Sequence, residues 1–284
     1  MILPFALKED KVLPLDQVKV SAADLAVCRG YGVFDFFDVQ NGVPLFLQHY
    51  LDRFRRSASG LRLELRQTDA QIRQWVDELL QANQVADCGI RLLLTGGFSA
   101  GSYKVEQPSF FMLAYAPSVY EETVFKRGVR LMTQPFMRIF PEIKSINYLH
   151  GLYMQDTLKE KGYDYLLYHF EGRVLESDRS NFFLLDQNNV LYTAEEGVLH
   201  GVTRKIVLEI ATEMGLKVER RAPTMQQLFE AKACFLTNTT AKLLPVRQID
   251  HYLLPACPGE VFVELRRNFA LLIQAEVMKG AKVS

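Results

Sequence analysis

The chain has 284 residues, 49% of them hydrophobic, and its 33 basic residues balance 33 acidic ones. This is enough apolar material for one large core or two smaller ones, and the balanced charge excludes a general electrostatic attraction to nucleic acid or to an anionic membrane surface. The start, MILPFALKED, has no basic front or small-residue cleavage site, and no run of about eighteen apolar residues occurs, so a cytoplasmic protein without a membrane span is expected.

Strand-like pieces open the chain, and VFDFFDVQNGVPLFL reads as a hairpin turning at Asn41-Gly42. A helix over 49–57 follows, with Leu47, Leu51, Phe54 and Ala58 on one face and Arg53, Arg55 and Arg56 on the others; an inward arginine would make a phosphate clamp, an outward one a solvated face. Thr68 and Gln71 form a capping-box pattern ahead of a helix over 68–82, whose stripe is Ile72, Trp75, Val76, Leu79 and Leu80. Strands over 91–95 and 109–115 flank GGFSAGSYKVEQP, a loop whose glycines and serines suit a mobile lip. Ala116-Pro117-Ser118 breaks the pattern, which divides the chain into a domain over 1–116, a linker over 117–123 and a domain over 124–284.

In the second part a strand over 129–133 leads past Pro135 and Pro141 to EIKSINYL, and a helix is expected from 146 to a stop at Gly162. Strands over 164–170, 173–175, 181–186 and 190–193 then form a meander, turning at Glu171-Gly172 and Gln187-Asn188-Asn189. Gly201 opens a helix stopped by Gly215, Thr224 and Gln227 form another capping box, 233–237 is a strand, and an amphipathic helix from 258 closes the chain. Strands mixed with separated helices indicate an α+β fold rather than a doubly wound sheet. Cys28, Cys88, Cys234 and Cys257 show neither a CxxC pair nor histidines at ligand spacing, so no disulfide framework and no metal site are expected.

The chemistry-bearing candidates are dispersed. Lys144 beside Tyr148 is one lysine among many able to form a Schiff base with an aldehyde. Val202-Thr203 at a helix start and the Asn238-Thr239-Thr240 turn after a strand are each able to hold a phosphate, and Glu176 ends a strand where it would face a protonated ring nitrogen. Singly, each is as well explained by an ordinary surface residue or a hydrated helix end.

Together, RGYGVFDFFDVQNG, HYLDRF, EIKSINYL, KGYDYLLYHFEGRVLESDRSNFFLL, LHGVTRKIV and FLTNTTAKLLPV resemble, in order and rough spacing over nearly the whole chain, the fold-type IV pyridoxal phosphate enzymes. These include D-amino-acid aminotransferases, branched-chain aminotransferases and aminodeoxychorismate lyases. The resemblance implies a small N-terminal α/β domain, a larger C-terminal domain with a barrel-like sheet, pyridoxal 5'-phosphate as cofactor, and a homodimer with active sites near its interface. It further implies that Lys144 carries the cofactor and shuttles the proton, and that Glu176 keeps the pyridine nitrogen protonated. Arg53, the amides of Val202 and Thr203, and Thr239 would bind the phosphate, with Tyr148 near the ring hydroxyl and Thr240 near the substrate.

For the substrate, the familiar D-amino-acid pattern has a tyrosine where Phe34 stands and an Arg-x-His pair that GGFSAGSYK lacks. Arg29, Arg91 and Arg179 are the arginines that would replace this carboxylate trap, the alternative for each being a surface or inter-subunit salt bridge, and Arg91 also matches a strand arginine of branched-chain enzymes. Three arginines favour dicarboxylates, so transamination between a D-amino acid and a 2-oxo acid is the first expectation. The alternatives are an L-branched-chain aminotransferase, supported by Tyr148, then a lyase making p-aminobenzoate, and then a non-catalytic binding protein.

Overall fold

The computed structural model describes residues 1–101 and 103–280, and its contacts divide the chain into two units. The first holds the chain up to Ser118, the stretch Ile143–Asn147 and the end of the closing helix from Ile273; the second holds Val119–Glu142 and Tyr148–Leu272. The Lys144 segment therefore belongs with the first unit, although the sequence reading assigned all of 124–284 to the second domain. Ser102, in the loop read as a lip, lies outside the described residues.

In the first unit the strands β1 (Ile2–Lys8), β2 (Lys11–Pro14), β3 (Gly32–Gln40), β4 (Val43–Pro44), β5 (Cys88–Phe98) and β6 (Gln107–Tyr115) form a sheet in the order β2-β1-β6-β5-β3-β4. Its helices are α1 (Leu25–Arg29), α2 (Leu47–Gly60) and α3 (Asp69–Asn83). Strand β3 explains the layering: Val33, Phe37 and Val39 are buried on one face, while Phe34 and Phe36 on the other are half-buried. On the buried side, Phe110 of β6 meets Phe54 of α2 at 6.2 Å and Trp75 of α3 at 6.0 Å between ring centroids. The hairpin turns where expected, with Asn41 at φ 51° and Gly42 at φ 75°, and α3 begins in the expected capping box.

Strand β4 pairs only with Val39 and Gln40, leaving the start of β3 with an open edge. The Lys144 segment fills it: Phe34 N–H donates to Lys144 O and Ile146 N–H to Gly32 O, each at 3.0 Å, and Val33 and Ser145 form an antiparallel bridge. Unpaired backbone groups at a strand edge need partners. This demand also explains why the helix expected from 146 starts later, as α5 (Leu149–Tyr153), and is interrupted at Met154 before α6 (Gln155–Lys161).

The second unit contains α4 (Glu122–Arg127), β7 (Val129–Pro135), α5, α6, β8 (Tyr165–Phe170), β9 (Arg173–Ser177), β10 (Asn181–Leu185), β11 (Leu191–Tyr192), α7 (Val202–Glu213) and β12 (Val218–Glu219). It continues through α8 (Met225–Phe229), β13 (Ala233–Asn238), β14 (Lys242–Ile249), β15 (Tyr252–Leu253) and most of α9 (Glu260–Gly280). The order β10-β13-β14-β7-β8-β9 returns to β10 through the pair Asn181 and Glu176, so the sheet closes into a barrel. Leu131, Leu167, Phe182, Leu236, Leu244 and Val246 belong to its core. Strand β14 has no counterpart in the expected elements, and it contains Pro245, a residue disfavoured inside a sheet. It is accommodated because Val246 is the first residue paired with β7, so Pro245 needs a ladder partner only on the β13 side.

One polar pair interrupts the helix-covered face of the first unit. Asp35 is fully buried and accepts from Arg53 Nε at 2.9 Å and from its terminal nitrogen at 2.6 Å. Breaking such a pair strands a buried charge, so Asp35→Ala should cost about 3–5 kcal/mol. The half-exposed Arg55 and Asp69 pair, cut by Asp69→Ala, should cost only about 0–1 kcal/mol. Urea denaturation of the two variants tests this contrast.

Candidate active site

The buried stripe of α2 contains Tyr50, Arg53, Phe54, Ser57 and Ala58. Ser57 Oγ accepts the Lys144 N–H at 3.1 Å, so a helix and a strand both hold the backbone of this lysine. Its Nζ lies 4.6 Å from the centre of the Phe34 ring. The Arg91 guanidinium carbon lies 5.3 Å from the same ring and 5.0 Å from that of Tyr115, and its Nε is buried without a hydrogen-bond partner among the described residues. Lys144, Phe34 and Arg91 are thus brought together on the sheet face that α2 and α3 do not cover. Arg53, expected at a phosphate, gives two of its donors to Asp35 and lies over the Tyr50 ring. Arg29 is exposed at the end of α1 and donates to Cys28 O.

In the second unit Glu176 is buried, and the contacts around its carboxylate are donors. Arg138 reaches Oε1 with Nε at 2.9 Å and with a terminal nitrogen at 2.6 Å, while Oε2 accepts from Asn181 Nδ2 at 3.2 Å and Leu199 N at 3.1 Å. Asn181 Nδ2 also donates to Leu199 O at 2.7 Å, which fixes the chain just before α7. At Gly201, the N-cap of α7, a Cβ would collide with Asn181 Oδ1, so any side chain there would have to displace Asn181. Gly201 offers no capping side chain, and the first-turn amides of Val202 and Thr203 form a positive helix end suited to an anion.

The Thr239 turn is joined to the same hairpin. Asn238 Nδ2 donates to Ser180 Oγ at 3.0 Å, and its Oδ1 accepts from Ala241 N at 2.8 Å and the Thr240 hydroxyl at 3.2 Å. Thr237, opposite Asn181 in the β10 and β13 ladder, has a buried hydroxyl with no hydrogen-bond partner among the described residues. Arg179 at the hairpin tip pairs with buried Asp178 at 3.5 Å and lies 5.1 Å from the Tyr165 ring centre. Burial pushes the Asp178 carboxyl up, against the pull of Arg179. Tyr148 and Asp178 both act on Tyr168, whose hydroxyl meets His150 Nδ1 at 3.1 Å and is pushed well above the usual phenol range, mainly by burial. His150 stacks on Phe136 at 4.0 Å and is shifted down by desolvation, with Asp178 opposing.

The model of the family described as amino-transferase class IV matches residues 32–249, which include Lys144, Arg91, Glu176 and both phosphate-capable segments. The chain belongs to the class IV aminotransferase family. It is 30% identical over 260 residues to a putative branched-chain-amino-acid aminotransferase of Methanocaldococcus jannaschii, covering 88% of this chain and 90% of that one. It is 28% identical over 246 residues to the D-alanine aminotransferase of Bacillus licheniformis, covering 84% and 86%. The T.th. branched-chain amino acid aminotransferase, solved with pyridoxamine 5'-phosphate, has the same fold, with a TM-score of 0.88 at 24% identity over 96% of this chain and 95% of that one.

Class IV aminotransferases depend on pyridoxal 5'-phosphate, and the residues of this member fit that group. The start of α7 and the orphaned Thr237 hydroxyl suit its phosphate, and the Glu176 carboxylate suits a protonated ring nitrogen. Sequence reasoning missed Asn181 and Arg138. Asn181 had left a signal, since asparagine is disfavoured in strands yet opens the apolar run NFFLL. Arg138 had left a fainter one, a lone cation in FMRIF. Gly201→Ala should displace Asn181 and weaken retention of the family's cofactor by tenfold or more, since about 1.4 kcal/mol is already tenfold. Fluorescence titration with pyridoxal phosphate measures the loss.

Proposed function

We propose that this class IV aminotransferase moves an amino group between an amino acid and a 2-oxo acid, with Arg91 receiving the substrate α-carboxylate beside Lys144. The observation that carries this reading is the placement of the Lys144 amine and the Arg91 guanidinium over one Phe34 ring. Bound pyridoxal phosphate supplies the electron sink for charge left when the substrate Cα loses its proton. Lys144 would hold the cofactor and carry that proton, and Glu176 would accept from the ring nitrogen. The family resemblance assigns the phosphate to the amides of Val202 and Thr203, Thr239 and Arg53, and the ring hydroxyl to Tyr148, and these residues would take those roles.

The surroundings of Arg91 favour apolar amino acids. Its cross-strand partners are Phe36 and Leu113, and its ring contacts are Phe34 and Tyr115. One cation among apolar side chains suits a single carboxylate on an apolar substrate, the branched-chain pattern that Tyr148 also supports. The second reading is D-amino-acid transamination with dicarboxylates, in which Arg29, Arg179 and Thr240 complete the substrate site; similarity to a D-alanine aminotransferase supports it.

A homodimer belongs to the same reading. In the second unit, Ile139 is 72%, Leu149 75%, Leu152 70% and Tyr153 79% exposed, a concentration of apolar side chains that a second copy would cover. A cytoplasmic location is proposed with it, supported by four unbridged cysteines; among the described residues no helix is long and apolar enough to cross a membrane.

Mixing the purified, cofactor-loaded enzyme separately with L-leucine, L-glutamate, D-alanine and D-glutamate, and following the cofactor's visible band, separates the two readings. L-leucine should convert the band; conversion by the D-amino acids alone would establish the second reading, and conversion by none would remove both. Lys144→Ala should abolish turnover and the lysine-bound band. Arg91→Leu should raise KM for the amino donor by roughly 10- to 100-fold, the value of a charged hydrogen bond. Light scattering should give twice the chain mass, and Leu152→Glu should reduce it to one.

A further inference from the structure

Burying a carboxylate is costly unless donors surround it. Around Glu176 the Asn181 and Leu199 donors are neutral, and Arg138 brings the cation. The Arg138 side chain is only 13% exposed, set between Phe136-Met137 and Ile139-Phe140. The terminal nitrogen that reaches Glu176 also donates to Pro141 O, three residues before Lys144 in the chain. Arg138 therefore ties the Glu176 carboxylate to the backbone that leads into the lysine. Its planar fork suits this task, since two donors point the same way and guanidinium keeps its charge throughout the accessible pH range.

We infer that Arg138 is a positioning residue that keeps Glu176 an ionised acceptor for the cofactor's ring N–H. The inference rests on the functional reading above, in which Glu176 faces that nitrogen. Without Arg138 the buried carboxylate loses a bidentate cation, while the Asn181 and Leu199 donors that remain are neutral, and the loss favours taking up a proton. A carboxylic acid no longer stabilises a protonated ring, and the ring becomes a poorer electron sink. The other titratable groups gathered here are Tyr168, Asp178, Tyr148 and His150, with Arg179 beside Asp178. Tyr168, held protonated by burial, and Asp178, partnered by Arg179, do not replace the missing cation on Glu176.

The test uses the cofactor-loaded enzyme and the variants Arg138→Met, Arg138→Lys, Glu176→Gln and Arg138→Met/Glu176→Gln. The readouts are the pH midpoint of the visible cofactor band and the pyridoxal phosphate dissociation constant, with thermal midpoints as a check on folding. Arg138→Met should raise the band midpoint by on the order of one pH unit, as loss of a nearby cation favours the protonated form. Arg138→Lys, keeping charge without the fork, should fall between Met and wild type. The double variant should differ little from Glu176→Gln, because residues acting through one another are not additive.

A wild-type midpoint in Arg138→Met, or effects that add fully in the double variant, would overturn the inference and leave the functional reading intact. If Arg138→Met does not fold, a wild-type midpoint in Arg138→Lys together with wild-type kcat would overturn it equally. A wild-type enzyme that develops no visible band with pyridoxal phosphate would instead overturn the functional reading, and the inference with it.

Discussion

A buried carboxylate governs the second unit. Glu176 lies at the end of β9 with both oxygens hydrogen-bonded, and each donor fixes another part of the chain. Asn181 fixes the start of β10 and, through Leu199, the entry to α7; any side chain at Gly201 would have to displace Asn181, which lies against it. Arg138 fixes the loop after β7. An anion-ready helix start is common in proteins, but here its position relative to an acid is set by one asparagine side chain.

The first unit solves a different problem. Lysine side chains are long and mobile, and localising an amine requires that its backbone be held. Two strand-like hydrogen bonds with β3 and one to Ser57 do this for the Lys144 segment, leaving the lysine side chain over Phe34. Arg53, one turn before Ser57 on the same helix face, is itself held by Asp35. A fully buried ion pair thus stands close in sequence to the residue that fixes the lysine.

Much of this was legible in the sequence because local chemistry dictates it. Thr68 with Gln71 and Thr224 with Gln227 each form the reciprocal bonds of a capping box, Asn41-Gly42 supplies the positive φ angles of a turn, and the β8 to β11 meander follows from short apolar runs with turn residues between them. What could not be read depends on distant partners. Pro245 lies in a strand because of where β7 begins, and residues 146–148 are non-helical because β3 had an open edge. For the site, the family motifs name Lys144, Glu176 and two segments proposed for a phosphate, and the structure adds what motifs do not hold: Asn181 and Arg138 around Glu176, and the surroundings that distinguish Arg91 from Arg29 and Arg179.

The pairing of β9 with β10 runs through Asn181 and Glu176, and it is the seam that closes the barrel. The acid and the asparagine that holds it are therefore also the last rung of a cylinder. Opening that rung by thermal fluctuation disperses the Glu176 carboxylate and its donors, and in the proposed reading a ligand held by that carboxylate would work against the opening. Ligand affinity and the local unfolding free energy of the barrel are then two views of one equilibrium, each raised by whatever raises the other.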